Sequence, residues 1–91
     1  KQNSIDVFNY VKEMRLDITA NDIAEALGLS PRSVNAIITS SFQRHKDEDK
    51  NIIPLMQRVE DEIFDDVAGR HKVVKFIKLT DEGYEFEPTL D

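Results

Sequence analysis

The chain contains no cysteine among its 91 residues, which excludes disulfide bonds, thiolate nucleophiles and cysteine-ligated metal sites. No apolar run approaches the ~20 residues that a membrane-spanning helix needs. The first residues, KQNSIDVF, lack the basic and long apolar parts of a signal peptide. At this length one apolar core suffices, so we expect a single domain, residues 1–91, that is cytoplasmic and has no membrane partner.

Glycine is scarce as well. The three glycines are scattered as turn formers, so there is no glycine-rich loop to hold a phosphate group, and no nucleophile motif is present. His45 stands near Asp47, Glu48 and Asp49, but these carboxylates are consecutive and no ligand spacing recurs. We therefore expect no enzymatic activity, no metal site and no cofactor.

Negative charge is abundant overall but missing from two windows. The net charge is −6, yet residues 26–46 contain Arg32, Arg44 and Lys46 and no carboxylate. Residues 67–79 contain four cations and again no carboxylate. An acidic total argues against nucleic-acid binding, but the distribution of charge matters more than the total.

Three helices are predicted in the first half of the chain. Apolar spacings of three and four indicate a helix over about 4–14. Thr19 and Asp22 have the spacing of a capping box, and Gly28 suits a helix end, which bounds a second helix at about 20–27. Ser30 and Pro31 then suit the start of a third helix, over about 31–45. Its predicted core side chains are apolar and recur at helical spacing: Val34, Ile37, Ile38 and Phe42.

Two strands are predicted in the second half, over about 55–64 and 71–80, joined as a hairpin by a turn containing Gly69. The first strand is acidic and the second basic, so we expect Lys75 and Lys78 to pair with the acidic strand. Ile18 is a candidate for a short third strand. The tail, 81–91, is expected to start with a turn capped by threonine.

Two short helices joined by a glycine-containing turn are the helix-turn-helix unit, whose second helix enters the major groove of DNA. The predicted fold class is mainly α with a small β-hairpin (α+β), with a three-helix core and a two-stranded, or at most three-stranded, sheet. The run TANDIAEALGLSPRSVNAIITS, followed by MQRVEDEIF, KVVKFIKLT and LTDEG, resembles the winged helix-turn-helix domains of bacterial and phage transcriptional regulators, in particular the MarR-like group. The resemblance covers residues 4–86 and implies that the helix starting near Ser30 is the recognition helix and that the hairpin is the wing.

The resemblance implies double-stranded DNA as the partner, and the residue types suggest roles on the recognition helix. Arg32 can bond guanine and Asn35 can bond adenine. Thr39 can meet a thymine methyl group or a phosphate, and Ser33 either donates to phosphate or reinforces the helix start. The predicted contacts of this helix share its exposed side or its C-terminal end, where cations also suit the helix dipole: Arg32, Ser33, Asn35, Ala36, Thr39, Gln43, Arg44 and Lys46.

On the wing, Arg70, His71 and Lys72 lie at or just past the predicted tip, where they can enter a minor groove or touch the backbone. A two-fold operator would require a homodimer. The chain departs from the family at KDEDKNIIP, which separates the recognition helix from the first wing strand, and it leaves little room for the long terminal helices of larger relatives. A small-molecule effector is therefore not implied. The alternative is a winged helix that uses its acidic sectors, 47–66 and 80–91, to bind a basic protein.

Overall fold

The computed structural model describes residues 2–14 and 17–87. Four α-helices and a two-stranded antiparallel hairpin are arranged around one apolar core, which confirms the predicted α+β class. The elements are listed here in chain order: α1 (Gln2–Met14), α2 (Ala20–Leu27), α3 (Pro31–Ile37), a π-helical segment (Ile38–Gln43), β1 (Met56–Asp65), β2 (Arg70–Leu79) and α4 (Asp81–Glu85).

The start and end of α2 follow from local chemistry. The Asp22 N–H donates to the Thr19 hydroxyl oxygen, and the Thr19 N–H donates to the Asp22 carboxylate at 2.9 Å, which completes the predicted capping box. Gly28 ends the helix with a φ of 69°, a left-handed conformation that costs glycine little. The observed bounds of α2 coincide with the predicted ones.

The third helix starts as predicted but does not remain α-helical. The Ser33 N–H donates to the Ser30 hydroxyl oxygen, and Pro31 occupies the first turn. The α-helix ends at Ile37, whereas the sequence predicts one helix over 31–45. In the π-helical segment, the Ser40 hydroxyl donates to the Ala36 carbonyl oxygen, a back-bond that loosens a helix. At its end the Arg44 N–H reaches the carbonyl of Thr39, five residues earlier.

Residues 46–52, predicted only as a connector, form a tight turn. Lys46 and Ile52 make an isolated antiparallel bridge. Between them, the Asp47 carboxylate accepts from the backbone N–H groups of Asp49 and Asn51, both at 2.9 Å. The chain then returns to the helix end, because the Leu55 N–H donates to the Phe42 carbonyl oxygen.

The hairpin pairs β1 with β2 from Met56↔Leu79 to Asp65↔Arg70. Its turn is held by Asp65, whose carboxylate accepts from two turn N–H groups, and by Gly69, whose φ is 68°. Within the described residues the sheet has two strands, so the third strand suggested at Ile18 does not form. The Ile18 carbonyl oxygen accepts from the Ile77 N–H at 2.8 Å.

The tail starts with a turn capped by threonine, as predicted, and this turn also attaches to the base of the hairpin. Thr80 caps α4 by accepting from the Gly83 N–H, and its hydroxyl donates to the Pro54 carbonyl oxygen at 2.6 Å. The hairpin extends away from the helices, which gives the molecule dimensions of 48 × 26 × 21 Å. Pro88–Asp91, the end of the predicted tail, lie outside the described residues. In the described ranges, every helix is too short or too polar to cross a lipid bilayer.

Candidate nucleic-acid interface

The surface formed by α3 and the π-helical segment is free of carboxylates. The residues predicted to contact DNA lie on different sides of it. Val34, Ile38 and Phe42 are buried in the core, as predicted, whereas Ile37, also predicted there, is half-buried and packs against it. Arg32 and Ala36 are exposed on the opposite side, and Thr39 and Gln43 are half-buried. The remaining predicted residues of this region are all exposed: Ser33, Asn35, Arg44 and Lys46.

Ser33 has a structural role in the helix start. Its hydroxyl accepts from the Ser30 hydroxyl at 2.9 Å while its N–H donates to the same Ser30 oxygen. Ser33 and Ala36 also line a shallow groove shared with the first residues of α1. They therefore face the α1 side of the helix, away from the hairpin.

The hairpin side of the helix is bound by Arg58, a β1 residue that the sequence analysis did not select. Its Nη1 donates to Asn35 Oδ1 at 2.8 Å, and its Nη2 donates to Thr39 Oγ1 at 3.2 Å. Its Nε donates to Gln43 Oε1 at 3.3 Å. Three predicted DNA contacts are thus held together by one guanidinium group.

The alternation of side chains along β1 is the sequence pattern that could have identified Arg58. Side chains two residues apart lie on the same face of a strand, and the register places Arg58 beside buried Met56 and opposite buried Ile77. Arg58 lies two residues after buried Met56 on the same face of β1, so its long side chain is directed at the helices. Its acceptors come from 15 to 23 residues earlier in the chain, which local pattern does not specify.

Five cations of the predicted interface have no carboxylate partner in the part of the chain that the structure describes. They are Arg32, Arg44, Lys46, Arg70 and Lys72. The ion pairs that do form there involve other side chains. Lys75 lies 3.9 Å from Glu60, as expected for strands of opposite charge. Lys78, which we predicted would also pair with the acidic strand, instead donates to Asp17 at 2.7 Å.

The hairpin residues predicted to bind DNA differ in their surroundings. Lys72 lines a surface groove between the hairpin and the helices, together with Asn35 and Arg58. Arg70 is exposed at the end of the hairpin. His71 lies 3.5 Å from the Glu62 carboxylate and packs in a T-shaped arrangement with the Phe64 ring, so its side chain is already engaged.

The outer half of the hairpin also exposes apolar side chains. Val67 is 99% exposed, Val73 66% and Phe64 54%, and Val59 and Ile63 are partly exposed. The sequence analysis treated these residues only as parts of strands. The register places Phe64 and Val73 on one face of the hairpin and Val59 and Ile63 on the other.

In the described ranges, no three His, Cys, Asp or Glu side chains are grouped so that they could hold a metal ion. His45, the candidate raised by its acidic neighbours, packs edge-to-face against Phe86 with ring centroids 5.0 Å apart. Comparison of the chain with known protein families, characterised proteins and solved structures finds no match.

Proposed function

We propose that the chain is a winged helix-turn-helix protein that binds double-stranded DNA sequence-specifically, as a small transcriptional regulator of the bacterial or phage type. The observation that carries the proposal is the distribution of unpaired charge. Arg32, Arg44 and Lys46 flank a helical surface without carboxylates, and Arg70 and Lys72 extend from the hairpin, all without an ion-pair partner in the described ranges. Of the other hairpin cations, Lys75 and Lys78 are ion-paired and Arg58 is hydrogen-bonded to the helix. In the described ranges Lys12 and Lys50 are unpaired as well, but most of the unpaired cations lie on or next to the two elements that would contact DNA.

In this proposal α3 enters the major groove with its N-terminal turn nearest the bases, where Arg32 is exposed and can bond guanine O6 and N7. Arg44 and Lys46, beyond the helix end, contact phosphates, and Lys72 contacts the flanking backbone. Binding would regulate transcription by blocking or recruiting other proteins. An operator with two-fold symmetry would be bound by a homodimer.

The net charge of −6 limits non-specific affinity. Each phosphate neutralised contributes about −0.9 to the slope of log K against log salt. Arg32 is assigned to a base, so the other four unpaired cations of the interface limit the slope to about −3.6 per protomer. Base contacts would have to supply the rest of the affinity.

The test is selection from random duplexes at two salt concentrations. We expect one enriched consensus and a salt slope within that limit. Arg32→Glu should abolish enrichment while the circular dichroism spectrum stays unchanged, because Arg32 is exposed and makes no intramolecular bond among the described residues. The matched control is Lys12→Glu, the same charge reversal in the last turn of α1. The absence of enrichment at low salt would refute the proposal.

The exposed apolar hairpin favours a second candidate, a protein-interaction module. Phe64 and Val73 are exposed beside the acidic residues of β1, so the fitting partner is a basic segment with apolar side chains. Selection from a displayed peptide library would then enrich peptides that combine basic and apolar side chains. The double substitution Phe64→Ser and Val73→Ser should abolish that enrichment. Failure to enrich any peptide on the intact chain would eliminate this candidate.

A further inference from the structure

Arg58 makes four hydrogen bonds to one side of the helix. Besides the side-chain oxygens of Asn35, Thr39 and Gln43, it reaches the Asn35 carbonyl oxygen at 3.4 Å. The three side chains are spaced four residues apart and form one column facing the hairpin. Arg58 is itself half-buried beneath them.

The chemistry of the guanidinium group determines how these side chains are oriented. Arginine has five N–H donors and no acceptor. An amide that faces it must therefore present its oxygen, and the NH₂ groups of Asn35 and Gln43 point away from Arg58. The Thr39 oxygen also accepts from Arg58, so its hydroxyl hydrogen is directed elsewhere. No acceptor within the described ranges is bonded to these outward donors.

We infer that Arg58 is a specificity-determining positioning residue, which turns Asn35, Thr39 and Gln43 into outward hydrogen-bond donors and so selects for acceptor groups. The inference rests on the proposed DNA-binding function. In the major groove guanine presents two adjacent acceptors, O6 and N7, whereas adenine presents one acceptor and one donor, and cytosine a donor. Asparagine reads adenine by accepting and donating at once. Arg58 occupies one of the two lone pairs of the Asn35 oxygen, whereas both hydrogens of the Asn35 NH₂ group remain available. In this inference Asn35 therefore contributes chiefly as a donor and favours guanine, where the sequence suggested adenine.

The same orientation affects phosphate binding. Phosphate oxygens accept hydrogen bonds and carry negative charge, so a column of donors above a half-buried cation suits them. The helix surface can therefore attract DNA even though it exposes few cations. This accounts for how a sparse set of Lys and Arg can serve an acidic chain.

The experiment compares the consensus selected by the wild-type chain, Arg58→Met and Asn35→Ala. Asn35→Ala identifies the base pair that Asn35 reads, as the position that loses its preference. At that position we expect the wild type to favour guanine over adenine by about tenfold, within the range of one good base contact. Arg58→Met removes the donors but keeps a long side chain, so the amide can turn and the preference should fall to about twofold or less. Lys75→Met, on the same face of the hairpin, is the control and should keep the consensus.

The outcomes separate the inference from the proposed function. A wild-type consensus that Arg58→Met leaves unchanged, or one with adenine at the Asn35 position, overturns the inference and leaves DNA binding standing. A wild type that enriches no sequence overturns both. If Arg58→Met fails to fold, ¹⁵N NMR of the wild type decides: restricted rotation of the Arg58 guanidinium supports the network, and free rotation overturns it.

Discussion

Replacing Gly83 with alanine tests how the hairpin is attached to the rest of the molecule. Gly83 is buried in α4, and a methyl group at its Cα would overlap the carbonyl oxygen of Leu55 and approach Leu79 Cβ to 3.2 Å. The obstacle is backbone, which cannot turn away as a flexible side chain can. The Leu55 oxygen also accepts from the Thr80 N–H at 3.0 Å, so displacing it weakens that bond.

The magnitude follows from three contributions. Overpacking against a rigid neighbour costs about 3 kcal/mol, the upper part of the usual range. Loss of the Thr80 bond to Leu55 adds about 1 kcal/mol. Alanine regains about 1 kcal/mol in helix propensity. We therefore expect Gly83→Ala to lower the free energy of unfolding by about 3 kcal/mol, and the melting temperature by at least about 10 °C for a domain of this size.

Urea denaturation followed by circular dichroism measures this change directly. The matched control is Glu82→Ala, because Glu82 is the exposed neighbour in the same helix and should shift the free energy by less than about 0.5 kcal/mol. An unfolding midpoint for Gly83→Ala that equals or exceeds that of the wild type would show that Gly83 is not packed against Leu55. The attachment of the hairpin described above would then be wrong.

Three further changes test other parts of the fold, each by the same unfolding measurement. Phe42→Ala should cost about 3–5 kcal/mol, because Phe42 is 4% exposed in the core; a cost below about 1 kcal/mol would contradict its burial in the π-helical segment. Thr19→Ala should cost about 1 kcal/mol through loss of the α2 cap, and no change would contradict the capping box. Lys78→Ala should cost less than about 1 kcal/mol despite the 2.7 Å contact with Asp17, because both side chains are exposed; a larger loss would mean that the pair is shielded from water.

The sequence was sufficient for the helix caps and the hairpin turn, which depend on neighbouring residues. Thr19 with Asp22, Ser30 with Ser33, and Thr80 with Gly83 form the helix caps. In each case the donor and acceptor are within three residues, so their spacing alone determines that they can meet. The turn at Gly69 follows for the same reason, since its geometry is local.

Features that depend on distant parts of the chain were not predicted. Lys78 bonds Asp17, 61 residues away, next to the backbone hydrogen bond from the Ile77 N–H to the Ile18 carbonyl oxygen. The change to π-helix at Ile38 is also invisible in the pattern, since apolar side chains three and four apart suit either helix. Predicting the Arg58 hydrogen bonds would require both the register of the hairpin and the side of the helix that faces it, and neither is local in sequence.

Arg58 also bears on why the helix surface from α3 to the π-helical segment carries no carboxylate. A cation beside position 35 would favour aspartate there, because a bond from a guanidinium to a carboxylate is stronger than one to an amide. We expect Asn35→Asp to raise the free energy of unfolding, though by less than about 1 kcal/mol because position 35 is exposed. The same change removes the outward NH₂ group and places a negative charge where phosphates would lie, so it should weaken DNA binding. Urea denaturation and duplex titration measure the two effects separately, with Asn35→Ala as the uncharged control. If aspartate stabilises the fold and DNA binding is unchanged, position 35 lies outside the interface; if both quantities fall, Arg58 does not face position 35.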